Sequence, residues 1–421
     1  MNAASRQVST RRVFHIPGYD PMPPRRYREL YRTEGAAQAA ISGYEIGVRA
    51  DKSDATFRWT VGARIDGHAV MSQVDVLVWA DIVKGSMAQS IPATYGQLVQ
   101  TAWTYISTGT LRRLMWMRKG PVIAALYPVV MLLTQLSLAL IAGALIGGWV
   151  TDLLINGLRL VGLSQGGGFD AVAHALGWAC LIGVTFFILR WFKARDNKLF
   201  AYYLMHDYAY SARLRGEVPP ELDARMKAFE AIIAQALSED VDEVLIVGHS
   251  SGAHLAVSII ADLMRAGHVR ADGPKLAFLS LGQVVPMVSF LPRAQRLRRD
   301  LAFLSTRDDF TWVDVSAPGD GCCFALCDPV AVSGVAPEGR RWPLVISAAF
   351  TQSLSPARWK ELRWRFFRLH FQYLCAFDQP KDYDYFQITA GPVLLADRYA
   401  GRQPSGSRID VPVSKYTSVL P

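Results

Sequence analysis

The chain has 421 residues with a formal net charge of +9, 51% hydrophobic residues and only 19% charged ones. Soluble chains average about 25% charged residues, so part of this one is expected in lipid. Five cysteines, an odd number, argue against a disulfide framework. The excess positive charge is spread out and flanks apolar runs, which favours an anionic membrane surface over nucleic acid.

Residues 1–12 are polar and basic and no apolar core follows them, so no signal peptide is expected. Residues 12–15 read as a short strand entering the Pro/Gly loop of FHIPGYDP. PPRRYRELYRTEGAAQAAI reads as a helix with proline near its start. YEIGVRA, TFRWTVGAR and MSQVDVLVWADIV carry the β-branched and aromatic residues of strands, and residues 92–118 read as helical.

Residues 120–151 contain no charged side chain, and the 30 residues from Pro121 to Val150 form an apolar run with Pro128 near its start. About 20 apolar residues suffice to cross the hydrocarbon core. A second uncharged run, residues 171–189, contains His174 near its start, where it is expected at the interface. Arg112, Arg113, Arg118 and Lys119 precede the first run, and Arg190, Lys193, Arg195 and Lys198 follow the second, whereas the connector of residues 151–170 has only Arg159. Basic flanks stay on the cytoplasmic side. The expectation is an integral protein of the inner or plasma membrane, with two spans (about 121–150 and 171–190) and both termini cytoplasmic.

Beyond the spans, residues 196–238 look helical. In DEVLIVGHSSGAHLAVSIIADLMRAG, a buried-type strand runs into Gly248-His249-Ser250-Ser251-Gly252 and then into a helix. This is G-x-S-x-G in strand–turn–helix context, the arrangement of a nucleophile elbow. Small residues two before and two after the serine let strand and helix approach, and the helix N-terminus offers N–H groups to a developing oxyanion. The competing reading is an ordinary glycine-rich loop. KLAFLSLG, FTWVDVSAP and PLVISAAF read as further strands. Residues 356–376 mix helical and strand signals, and the Pro/Ser/Gly-bearing tail, residues 401–421, is expected to be disordered. Cys322, Cys323 and Cys327 cluster, but a zinc site draws a second Cys/His pair from a separate turn, so reduced, packed thiols are expected and no metal.

On GHSSG with its flanking strand and helix, and on FHIPGYDP, the chain resembles the α/β-hydrolase superfamily of serine esterases and lipases, as a membrane-anchored, bacterial-type member. The resemblance covers the two soluble parts and not the hairpin. It implies an α/β fold, a mostly parallel sheet flanked by helices with an inserted two-helix transmembrane hairpin. Residues 1–119 would supply the oxyanion loop and first strands, 120–192 the hairpin, and 193–400 the catalytic residues. It also implies a second oxyanion donor from a His-Gly-type loop. His15-Ile16-Pro17-Gly18-Tyr19 departs from that pattern by two intervening residues, and the donor would be the Tyr19 N–H beside that of Ser251.

The superfamily's chain order is Ser, Asp or Glu, His. Of the histidines after Ser250, His254 and His268 leave no room for an acid, so His370 is the expected base. Asp320 in APGDG is the expected acid and Asp328 in CDPV the alternative, although Asp beside Gly or Pro is also a common turn former. The implied activity is cleavage of an ester or related acyl bond, possible also as acyl transfer. It needs no cofactor, and its substrate would be a small-molecule or lipid ester drawn from the bilayer. The competing reading is a non-catalytic membrane scaffold on the same fold. A transporter is disfavoured by two charge-free spans, and the sequence leaves the oligomeric state open.

Overall fold

The computed structural model describes residues 7–51, 56–87, 90–160 and 167–420. Two compact units emerge. One comprises Met1–Ser86, Thr104–Ile123 and Ser211–Pro421; the other comprises Met87–Trp103 and Ala124–Tyr210.

The first unit is mixed α/β, built on an eight-stranded, mostly parallel sheet flanked by helices. Its strands are β1 (Thr10–Ile16), β2 (Glu45–Ala50), β3 (Phe57–Ile65), β4 (His68–Val76), β5 (Glu243–His249), β6 (Lys275–Leu281), β7 (Phe310–Ser316) and β8 (Leu344–Ser347). Their spatial order is β2-β3-β4-β1-β5-β6-β7-β8. The β2–β3 and β3–β4 pairs are antiparallel and every other pair is parallel. β5 and β7 are buried along their whole length, as continuous apolar runs between two helical layers must be. β3 instead alternates, because its second face is only partly covered. The period of two puts Val13, Leu245, Leu279 and Val313 into one core with Tyr27 and Tyr31 of the helix Arg25–Ser42. Two buried ion pairs tie the central strands together: Arg11 to Glu243 at 2.6 Å and Arg12 to Asp75 at 2.9 Å.

Three local expectations change. The run MSQVDVLVWADIV is a strand only to Val76, and its end begins the helix Ala80–Ser86. Residues 356–376 contain helices and no strand. The tail, expected to be disordered, has neither helix nor strand but is pinned. Ser405 N–H donates to Val345 O at 2.8 Å, Ile409 N–H to Leu326 O at 2.7 Å and Ser414 N–H to Val332 O at 2.9 Å. Its polar composition hid these backbone pairings.

The second unit contains, apart from Lys119–Ile123 of the first unit, two helices long and apolar enough to cross a membrane, with Lys119–Gly157 and Gly168–Lys193 as the candidate spans. Its bounds differ from the hairpin read in the sequence, because it also takes in Met87–Trp103 and continues to Tyr210. Of the connector, residues 161–166 lie outside the described residues. The two helices meet through small residues. A Cβ at Gly147 would lie 2.4 Å from Gly177 O, one at Gly143 would lie 2.7 Å from Leu181 O, and one at Gly177 would overlap the Thr151 hydroxyl. Gly143 and Gly147 are the GxxxG spacing that lets apolar helices approach backbone to backbone.

Candidate functional site

The carboxyl ends of β1, β5, β6 and β7 converge on one edge of the sheet. β1 lies where the order reverses, since the chain leaves it toward β4 on one side and returns as β5 on the other. Sites in open parallel sheets form outside such a switch point.

Ser250 follows β5 directly with φ 56°, a left-handed conformation that is strained for a side chain with a Cβ and costs about 1–2 kcal/mol. The helix Gly252–Arg265 begins immediately after it. The two flanking glycines show why the turn can be this tight. A Cβ at Gly248 would meet Ala253 Cα at 2.8 Å, and one at Gly252 would meet Ile16 O at 2.1 Å. From β1, Gly18 comes so close that its added Cβ would stand 2.9 Å from Ser250 Cβ and 3.4 Å from Oγ. Ser250 N–H donates to Leu281 O at 2.9 Å, which fastens the turn to the end of β6. Ser250 is partly exposed while His249 and Ser251 are buried.

Asp320 sits in the loop after β7, fully buried, and its Oδ2 accepts from His370 Nδ1 at 2.7 Å. The same oxygen accepts from the Tyr373 hydroxyl at 3.0 Å, and Oδ1 accepts from Cys322 N–H at 2.9 Å. Burial alone would raise this carboxyl. The facing imidazole and the donated hydrogen bonds outweigh it and hold Asp320 below the usual carboxylate range. His370 reaches the site on the one-turn helix Phe366–His370. Its Cε1 lies 3.1 Å from where a Cβ on Gly282 would stand, one residue past the carbonyl that holds Ser250. Its carbonyl oxygen faces His249 Nε2 at 3.0 Å, and the two rings are 4.7 Å apart. His370 and Ser250 thus flank the same short segment, Leu281-Gly282, although no hydrogen bond joins them among the described residues. Such contacts are commonly long until substrate is bound.

Asp328, the alternative acid, is engaged elsewhere. It caps a one-turn helix by accepting from Val330 N–H at 3.0 Å and Ala331 N–H at 3.1 Å, and pairs with Arg340 at 2.8 Å. Asp314, inside β7, is bonded to Ser280 at 2.5 Å. Burial raises its carboxyl to about 7. The Tyr19 N–H, expected as an oxyanion donor, donates to Ser251 Oγ at 2.8 Å. Ser251 is the N-cap of the helix that begins at Gly252.

Sequence reasoning missed Tyr373 and His249. Tyr373 lies three residues past His370, and its hydroxyl also accepts from Ala317 N–H at 3.0 Å, bracing the loop of Asp320. That spacing was its only signal. His249 lies inside the motif, buried and held well below the ordinary histidine range by burial and the neighbouring imidazole. Asp320, Cys322 and His370 offer three ligand atoms within 4.8 Å of one another. Cys323 and Cys327 are buried free thiols, and burial raises both. Comparison with protein-family models, curated proteins and solved structures returns no match.

Proposed function

We propose that the chain is a membrane-anchored serine hydrolase of the α/β-hydrolase type, cleaving an ester or related acyl bond. The observation that carries this reading is the buried 2.7 Å pair of His370 Nδ1 and Asp320 Oδ2 at the sheet edge where Ser250 stands at positive φ between two close-packed glycines.

With Nδ1 held by the carboxylate, the free Nε2 is the basic nitrogen. Ser250 Oγ attacks the acyl carbon while its proton passes to Nε2. The tetrahedral oxyanion is met by the Ser251 N–H at the helix N-terminus. Collapse expels the alcohol, which takes the proton from Nε2. Water then repeats the sequence on the acyl-enzyme and frees the acid and Ser250. Tyr19 N–H can serve as a second donor once the Ser251 hydroxyl rotates away. Asp320 stabilises the imidazolium formed in both steps, and Tyr373 keeps Asp320 in place.

The two apolar helices are read as spans, and the basic residues on their outer flanks put both termini and the catalytic unit on the cytoplasmic face. Anchoring of the chain in a membrane favours a lipophilic ester as substrate. The scaffold reading draws on the Tyr19–Ser251 hydrogen bond, which occupies an oxyanion donor.

Turnover of p-nitrophenyl esters by the full chain in lipid nanodiscs tests the activity. Ser250→Ala should lower kcat by at least about a thousandfold. No turnover by the wild type would favour the scaffold. A reporter fused to the C-terminus should signal from the cytoplasm, and a periplasmic or extracellular signal would overturn the orientation.

A further inference from the structure

Residues 363–368 read Arg-Trp-Arg-Phe-Phe-Arg and lead directly into His370. Trp364 is 72% exposed and Phe366 49%, yet they adjoin each other edge to face, with the Arg363 guanidinium over the Trp364 ring. Residues 358–368 carry Arg358, Lys360, Arg363, Arg365 and Arg368 and one acid, Glu361, which bridges three of the arginines at 3.0 to 3.5 Å. Large aromatics held out in water beside surplus cations are costly unless something covers them. Tryptophan and arginine together are the side chains that seat in a bilayer's headgroup layer, with the ring in the apolar boundary and the cation at phosphate.

The position of the segment in the fold supplies the occupant. A Cβ on Gly321 would lie 3.6 Å from the Phe366 ring, and one on Gly120 would lie 3.3 Å from Gly321 Cα. Gly120 is the second residue of the first apolar helix. The preceding Arg118 donates to Ala325 O at 2.8 Å, which fixes the helix entry onto the same loop. The basic-aromatic segment, the loop carrying Asp320 and the start of the first span are therefore neighbours within one unit.

We propose that residues 363–368 dock on the anionic headgroup layer of the leaflet where the first span enters, so that the site draws acyl esters resident in that layer. The proposal rests on the reading of the two apolar helices as spans. The arginines bind lipid phosphate and Trp364 and Phe366 insert below it. Because Phe366 and His370 share one helical turn, docking also fixes the base over the loop of its acid.

The test is hydrogen–deuterium exchange of the full chain in nanodiscs of phosphatidylcholine with and without phosphatidylglycerol. Amides of residues 363–371 should exchange more slowly in the anionic discs, by roughly fivefold for each arginine engaged. Combining Arg363→Gln, Arg365→Gln and Arg368→Gln should erase that difference while β5 keeps its protection. Ser250→Ala should leave it unchanged, which separates docking from catalysis. Equal exchange in both lipids, in a chain that has entered the discs, would overturn the docking and leave the spans standing. A chain that does not enter discs at all would defeat both.

Discussion

Replacing Gly252 with alanine probes the elbow at its tightest point. The new Cβ would lie 2.1 Å from Ile16 O and 2.6 Å from Pro17 O. Carbon–oxygen contacts between backbones settle at about 3.3 Å, so the overlap with Ile16 O is roughly 1.2 Å. Both obstacles are main-chain carbonyls on the segment that carries Gly18 against Ser250, and no rotamer change relieves them. Either that segment or the elbow helix must move by about 1 Å. Overpacking of this kind costs about 1–3 kcal/mol, against a helix-propensity gain of at most about 1 kcal/mol from removing a glycine. A displacement near 1 Å at the nucleophile slows reaction by about a hundredfold. Gly252→Ala should therefore lower Tm by several degrees, at about 2–4 °C per kcal/mol, and slow fluorophosphonate labelling about a hundredfold. Gly96→Ala is the control. It lies in the helix Ile91–Ser107 with open space around its Cβ and should leave labelling unchanged. If Gly252→Ala labels at the wild-type rate with an unaltered Tm, the steric account of the elbow is wrong.

Other consequences follow from the same geometry. Asp320→Asn, which gives up the carboxylate facing His370 Nδ1, should slow ester turnover about 10³- to 10⁴-fold. Asp328→Asn keeps a residue able to cap its short helix and should slow turnover by less than about tenfold; the reverse ranking would make Asp328 the acid. His15 is buried with both ring nitrogens unpartnered, and burial lowers it to about 3 from an ordinary 6.5. The unfolded chain thus binds this proton first as pH falls. The stability His15 contributes is complete above about pH 6.5 and declines by about 1.4 kcal/mol per unit below it, or about 2 kcal/mol by pH 5. His15→Leu should flatten the Tm–pH profile by that amount, and an unchanged slope would contradict the assignment. Gly147→Leu puts a branched side chain where a Cβ alone would lie 2.4 Å from Gly177 O. Cysteine pairs placed across the two apolar helices should then lose cross-linking, and retained cross-linking would show that the contact is dispensable.

What the sequence disclosed, it disclosed where local sterics leave little choice. The apolar runs of β5, β6 and β7 read as buried strands, and the two glycines of GHSSG leave room for a close approach of strand and helix. The charge-free runs were visible because an uncharged apolar stretch of that length can be read from composition alone. Pairings that exist only after folding stayed hidden. Asp320 and Asp328 both sit in turn-forming contexts, and only the arrival of His370 from 50 residues away distinguishes them. Tyr373 gives no sign of its role until it lies under Asp320. The Ser251 side chain occupies the Tyr19 N–H because two loops 232 residues apart meet, which no motif encodes. The tail misled for a related reason: its backbone is satisfied by β8, a loop and a one-turn helix of the α/β unit rather than by a ladder of its own.

Peptide mapping of the fluorophosphonate-treated chain bears most directly on the proposed chemistry. The peptide of residues 228–265 contains Ser238, Ser250, Ser251 and Ser258, and fragmentation separates them. The proposed mechanism predicts one adduct, on Ser250, that disappears in His370→Ala. An adduct on Ser251, or none at any serine of that peptide, would contradict it.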